Sequence, residues 1–131
     1  MTRQEIEEQS NRLSKAIIGA AIEEHRELGP GLLESVYEAC LCHELALRKI
    51  PFKHQVPLPV HFKGVQLDCG YRMDLLVDDL VIVELKSVER FHPLDEAQLL
   101  TYLRQKKIWL GLLINFNVTI LRSGIKRMVN G

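Results

Sequence analysis

Two carboxylates and a lysine lie where strands should be apolar. From Leu67 to Lys86 the chain reads LDCGYRMDLLVDDLVIVELK, two short hydrophobic runs with Asp74 inside the first and Glu84-Leu85-Lys86 closing the second. A charge taken out of water costs several kcal/mol unless it is paired or bound to a metal, so buried charges of this kind need a reason. Side chains alternate along a strand, which puts Ile82, Glu84 and Lys86 on one face. A carboxylate and an ammonium so spaced can both reach a single scissile phosphate. With Asp74 beside them they have the make-up of a metal-dependent phosphodiesterase site.

That chemistry sets a geometric condition. A tight two-residue turn at Asp78-Asp79 would pair Val77 with Leu80 and leave Asp74 facing the wrong way. A slip of one residue moves every side chain to the opposite face. The site therefore requires a three-residue connection, Asp78 to Leu80, or a bulge, so that Asp74 opposes Glu84. The plainer alternative is an intrastrand ion pair of Glu84 with Lys86 and a partly exposed Asp74.

Two pairs on predicted helices point toward the same place. Glu34 and Tyr37 stand three apart, Gln98 and Tyr102 four apart, so each pair shares a helix face. Each also has a structural reading. Glu34 is an acid in a first turn, where the helix dipole favours it, and Gln98 could complete a capping box with Asp95.

The elements that would position these residues follow from periodicity. Thr2 and Glu5 match a capping box, and Ile6, Leu13, Ile17, Ala20, Ala21 and Leu28 recur at helical spacing, which predicts a helix to about residue 28. Gly29-Pro30-Gly31 stops it. A second helix is expected from about Leu32 to Lys49, burying Leu33, Val36, Tyr37, Cys40 and Leu41. His54 to Phe62 alternates but holds two prolines, as an edge or bulged strand does. Val65 to Val77 reads as one long strand bent near Gly70, and Leu80 to Lys86 as the next. Ser87 to Pro93 is a loop. Asp95 can cap a third helix to about Lys107 with Leu94, Ala97, Leu100 and Leu103 inward. Ile108 to Ile114 is a strand covered on both faces, Val118 to Leu121 a last strand, and the tail SGIKRMVNG is expected to fray. The order α-α-β-β-β-α-β-β predicts an α/β fold with a mixed sheet between helices, the strands around the third helix being parallel neighbours.

Composition narrows the class. A chain of 131 residues, 47% apolar and 26% charged, is the size of one ordinary soluble domain with a real core. Its formal net charge of zero gives no long-range pull on nucleic acid. Such binding would need a local patch, for which Arg104, Lys106, Lys107, Arg122, Lys126 and Arg127 are candidates, with a solvated helix end the alternative. Cys40, Cys42 and Cys69 have no CxxC spacing and are expected to be buried free thiols. The five histidines follow no ligand spacing. MTRQEIEEQSNR is not a signal peptide, and no apolar run approaches the ~20 residues of a membrane span, so a cytoplasmic protein without a membrane partner is expected.

Taken together the motifs carry a resemblance. Gly31-Leu-Leu-Glu34-Ser-Val-Tyr37 is similar to the GxxExxY signature of a family of small proteins in the PD-(D/E)xK nuclease superfamily. Asp74 with Glu84-Leu85-Lys86 resembles the D…(D/E)xK motif, and Gln98 to Tyr102 resembles the QxxxY motif of the RecB-like branch. Met73 stands where the motif has proline, a loosely kept position. The resemblance implies a restriction-endonuclease-like αβββαβ core over 31–121, preceded by an extra helix (1–28), in one nuclease-like domain of residues 1–131. It also implies Mg²⁺ or Mn²⁺ held by Asp74, Glu84, Glu34 and the Leu85 backbone carbonyl. Lys86 would orient the attacking water and stabilise charge on the phosphate, while Gln98 and Tyr102 would hold the lysine and the substrate backbone. The implied activity is hydrolysis of nucleic acid, DNA first, alone, as a homodimer or in a larger complex. The alternative is a catalytically silent nuclease fold that binds nucleic acid or a protein partner.

Overall fold

Helix α1 runs over Arg3–Leu28 and α2 over Glu34–Leu47 in the computed structural model, which describes residues 1–131. Thr2 caps α1, its hydroxyl accepting from the Glu5 amide at 3.1 Å. Gly29 ends it with φ 68°, a conformation costly for any residue with a Cβ, and donates to the His25 carbonyl at 2.8 Å. The buried face of α2 is Tyr37, Leu41 and Leu45, one residue every turn. Leu33, expected inside, is 72% exposed because it stands at the N-cap, before the helical turn that would carry it inward.

Seven strands follow: β1 (Phe52–Pro57), β2 (Val60–Phe62), β3 (Val65–Leu67), β4 (Arg72–Val77), β5 (Val81–Lys86), β6 (Leu110–Asn115) and β7 (Ile125–Val129). Helix α3 (Pro93–Lys106) crosses from β5 to β6. The main sheet has the order β1-β4-β5-β6-β7, with β5 and β6 parallel and the other neighbours antiparallel. Strands β2 and β3 form a separate ribbon. The expected long strands each break in two. Leu58-Pro59 interrupts the first, and Asp68 to Tyr71 the second, where the Asp68 carboxylate accepts from the Gly70 amide at 3.0 Å.

Apolar packing fills both sides of the sheet. Helices α1 and α2 bury Ile17, Tyr37 and Leu41 against Leu75, Val83, Leu112 and Ile114. Helix α3 buries Leu99, Tyr102 and Leu103 against Leu76, Ile82 and Leu113. This is the expected α/β layering, a mixed sheet flanked by helices with an extra helix at the N-terminus. The α3 stripe differs from the expected one: the helix turns Leu99, Tyr102 and Leu103 inward, which leaves Leu94 and Ala97 exposed and Leu100 half-buried.

The C-terminus is a second correction. Val118 to Leu121 forms no strand, and the segment expected to fray is β7, paired with β6 from Leu110↔Val129 to Ile114↔Ile125. Its Lys126 and Arg127 are the charged side chains that protect a sheet edge, so the sequence looks like a solvated tail. Gly124 turns the chain into β7, where a Cβ would meet the Asn115 carbonyl at 2.2 Å. The thiols are free as expected, but Cys69 is exposed and Cys40 and Cys42 are only half-buried. No helix is long and apolar enough to cross a membrane.

One buried acid has no partner. Glu24 is 6% exposed and neither carboxylate oxygen finds a hydrogen bond. Burial, and then the charge of Glu44, pushes its pKa up to about 8. The folded chain therefore holds a proton that the unfolded chain, with a carboxyl near ~4.3, releases. This contribution to stability is full below the unfolded value and is lost as pH rises toward about 8. Glu24→Gln, neutral throughout, is expected to match the parent at pH ~4 and to exceed it by on the order of 1–3 kcal/mol at pH ~8.5 in urea melts. A gap of the same size at both pH values would mean that Glu24 does not titrate in this window.

Candidate active site

The register that the site requires is made by one surplus residue. Asp78 and Asp79 both take positive φ, 50° and 53°, and the Leu80 amide donates to the Val77 carbonyl at 3.0 Å, which opens a two-residue turn. The ladder then slips by one, pairing Val77 with Val81, Leu76 with Ile82 and Leu75 with Val83. Leu80 is left over as a bulge residue, and the same register carries Asp74 opposite Glu84.

At that position side chains replace the backbone ladder. The Asp74 amide donates to Glu84 Oε2 at 2.7 Å, and the Leu85 amide donates to Asp74 Oδ2 at 2.8 Å. The neighbouring strand is distorted at the same level: Gln55, which faces Asp74 in the β1–β4 register, has φ 52°. Strand alternation also fails there, since Met73 packs on the α3 side with Leu76 whereas Leu75 packs on the other side. Glu84 is 6% exposed. Burial, and then the nearby Asp74 carboxylate, pushes its pKa up to about 8. Burial also raises Asp74, against the hydrogen bond from Leu85, which lowers it. Two carboxylates forced together in a dry place resist joint ionisation.

Helix α2 supplies the wall on one side. Glu34 Oε2 accepts from the Ser87 amide at 3.2 Å, just past Lys86, and Ser87 Oγ donates to the Leu32 carbonyl at 2.6 Å. Glu34, Glu38, Gln55, Asp74 and Leu85 line a cavity of about 470 Å³. Gln55 Nε2 bridges Glu38 Oε1 at 2.7 Å and Asp74 Oδ1 at 3.4 Å. Tyr37 lies beneath rather than in the cavity. It stacks on Phe116 with centroids 4.4 Å apart, its hydroxyl donates to the Gly29 carbonyl at 2.6 Å, and it accepts from the Leu32 amide at 3.2 Å. Its work is to hold the Gly29–Leu33 loop that delivers Glu34.

Helix α3 supplies the other wall. Lys86 Nζ lies 3.4 Å from Asp95 Oδ1, so its ion-pair partner is an acid that looked like a helix cap alone. Asp95 does both jobs: its Oδ2 also accepts from the His92 amide at 2.8 Å, completing a capping box with His92 rather than with Gln98. Tyr102 is buried, and its pKa is pushed up to about 12 by burial and then by the Glu84 charge. Gln98 and Tyr102 share a second cavity next to this wall. Asn115, at the end of β6, exchanges two hydrogen bonds with Val88 (3.1 and 2.8 Å), and the Phe116 amide donates to the Lys86 carbonyl at 2.9 Å.

Glu38, Gln55, Asp95 and Asn115 escape a reading by motif, because only the fold brings them to the strand ends. The capping position of Asp95 and the β6 terminus at Asn115 were the available signals. The basic patch is divided. Arg127 covers Trp109 and bonds Asn11, Lys126 pairs with Glu96, and Arg104 and Lys107 sit near Trp109, beside the strand end of β6 that pairs with Val81. Arg104 and Lys107 are therefore at the far end of β5 from Lys86, whereas Lys126 lies level with Glu84.

The sequence model of the PD-(D/E)XK nuclease superfamily matches residues 11–128, and the chain belongs to that superfamily. No curated protein and no solved structure matches the chain. Members of the superfamily typically use divalent metals. Asp74 and Glu84 fit such an ion, being hard oxygen donors whose crowding a cation would relieve. No three Asp, Glu, His or Cys side chains converge to enclose one. Asp74 and Glu84 are the two carboxylates brought together there, each accepting from a backbone amide, and Glu34 is engaged at Ser87.

Two expectations follow. Tyr37→Phe loses both hydroxyl hydrogen bonds and should cost about 1–3 kcal/mol in urea unfolding; an unchanged midpoint would mean that stacking alone holds the loop. Mn²⁺ or Mg²⁺ should raise the melting temperature of the parent, by the equivalent of about 2.7 kcal/mol at ~100 times Kd. It should do so for neither Asp74→Ala nor Glu84→Gln. Equal gains in all three would place the ion elsewhere.

Proposed function

We propose that the protein is a metal-dependent nuclease that hydrolyses phosphodiester bonds of nucleic acid, DNA first, and that it belongs to the GxxExxY group of the RecB-like branch. The observation that carries this reading is the crosswise fastening of Asp74 and Glu84, both raised in pKa, beside a lysine whose own counter-ion comes from α3. We take residues 1–131 as one catalytic domain, with α1 as an addition to the core at 31–121, able to act alone, as a homodimer or in a larger complex.

In this reading Asp74 and Glu84, helped by the Leu85 carbonyl and by Glu34, hold Mg²⁺ or Mn²⁺. The ion supplies Lewis acidity toward a phosphate oxygen. Lys86 orients the attacking water and faces the charge that grows on the phosphate. Asp95 keeps that ammonium in place, and Gln98 and Tyr102 bound the path of the substrate backbone. Burial of Glu84 favours a site that stays partly protonated until an ion arrives, so metal uptake should release protons.

A binding-only reading is favoured by one observation, the absence of three converging ligand side chains. Activity decides between the two. Purified protein with Mn²⁺ or Mg²⁺ should cut at least one of single- or double-stranded DNA or RNA, and Lys86→Ala and Asp74→Ala should each lower the rate by about 100-fold or more. Cleavage that survives both substitutions is contamination, and no cleavage on any substrate supports the binding-only reading.

A further inference from the structure

The cavity on the α3 side of the carboxylates differs in chemistry from the acidic one. It measures about 370 Å³ and lies between α3 and the segment linking β1 to β4. Leu58, Leu94, Tyr71 and Tyr102 make its apolar wall, Gln98 and Gln105 bring two amides, and no charged side chain lines it. Such a wall offers a phosphate no cation, only neutral donors such as the Gln98 and Gln105 amides. It suits a flat, neutral heterocycle that carries hydrogen-bonding edges. Tyr71 is 44% exposed and meets Tyr102 edge-on, with ring centroids 6.2 Å apart and an interplanar angle of 72°. Leu94 is 69% exposed at the rim. The cavity and the carboxylates share a wall, because Tyr102 lines the one and packs in one cluster with Met73, next to Asp74, and Ile82, on the strand face of Glu84.

We infer that this cavity receives an unpaired nucleobase next to the scissile phosphate, so that the protein selects single-stranded or locally unpaired nucleic acid. The inference rests on the nuclease reading for the position of the phosphate. A base in a duplex is stacked and paired and cannot enter, whereas a free strand loses little by turning one base onto Tyr71. A peptide side chain would find the same apolar wall, but the two amides and the adjoining phosphodiester site favour a base.

The test separates bases from backbone. In a Glu84→Gln background, which removes cleavage, fluorescence anisotropy compares a labelled single strand, the same strand built from abasic units, and the duplex. The single strand should bind about tenfold tighter than the abasic strand. Tyr71→Ala should erase that advantage without changing abasic binding, and Tyr71→Phe should keep it. Tyr71 is exposed, and equal melting temperatures of the variants will show that the fold is kept. Equal affinity for single and abasic strands, no measurable binding of the single strand, or a Tyr71→Ala variant that still prefers bases overturns the inference. Cleavage by the unsubstituted protein is read separately with Mn²⁺. No cleavage with Tyr71-dependent base binding sinks the nuclease reading and leaves the base site standing. Cleavage with Tyr71→Ala unchanged in KM and kcat on single strands sinks the base site alone.

Discussion

Asp74 and Glu84 are each fastened to the strand that carries the other, and the remaining architecture serves that crossing. The two hydrogen bonds, from the Asp74 amide to Glu84 and from the Leu85 amide to Asp74, close the β4–β5 ladder where its backbone pairing stops. They satisfy donors that would otherwise be orphaned near the core. They also press two like charges into a place where burial already disfavours both. The apolar layers on the two sides of the sheet must offset that cost. The crossing exists only because Leu80 is surplus in the hairpin: without the slip, Asp74 would lie on the other face.

The polar groups collect where an open α/β sheet characteristically gathers them, at the carboxyl ends of its parallel strands. Lys86 ends β5, Asn115 ends β6, and the two strands run side by side in register. Helix α2 approaches this edge from one face with Glu34, and α3 approaches it from the other with Asp95 and Tyr102. Cohesion and chemistry are thus divided along β5, with aliphatic residues in its first three positions and Glu84 and Lys86 toward its end. Tyr37, from within the core, and Asn115, at the end of β6, have a second task. They hold the loops on which the charged residues depend.

Much of this was legible in the sequence because it rests on local rules. The cap at Thr2, the stop at Gly29, the edge character of β1 and the parallel crossover through α3 all follow from spacing and residue type. So does the need for a slipped turn between Asp74 and Glu84, which the structure meets with a bulge at Leu80. The failures have two causes. The strand β7 was read as a tail because edge strands carry charge by design. Leu94 and Ala97 were placed in the core because they keep helical spacing with Leu103. The third dimension instead sends Tyr102 inward and leaves them to line a cavity.

The sequence by itself determined which residues could do chemistry, because a charge inside an apolar strand declares its cost wherever the strand ends up. It determined the alternation that groups Glu84 with Lys86, since that depends only on the two-residue repeat of an extended backbone. Only the tertiary structure decided the company these residues keep. Asp95 as the partner of Lys86, Gln55 between Glu38 and Asp74, and Asn115 on the Val88 loop are contacts between segments far apart in the chain. No local rule reaches that far, because those contacts follow from which helix packs on which face of the sheet, and that is settled by the whole core at once.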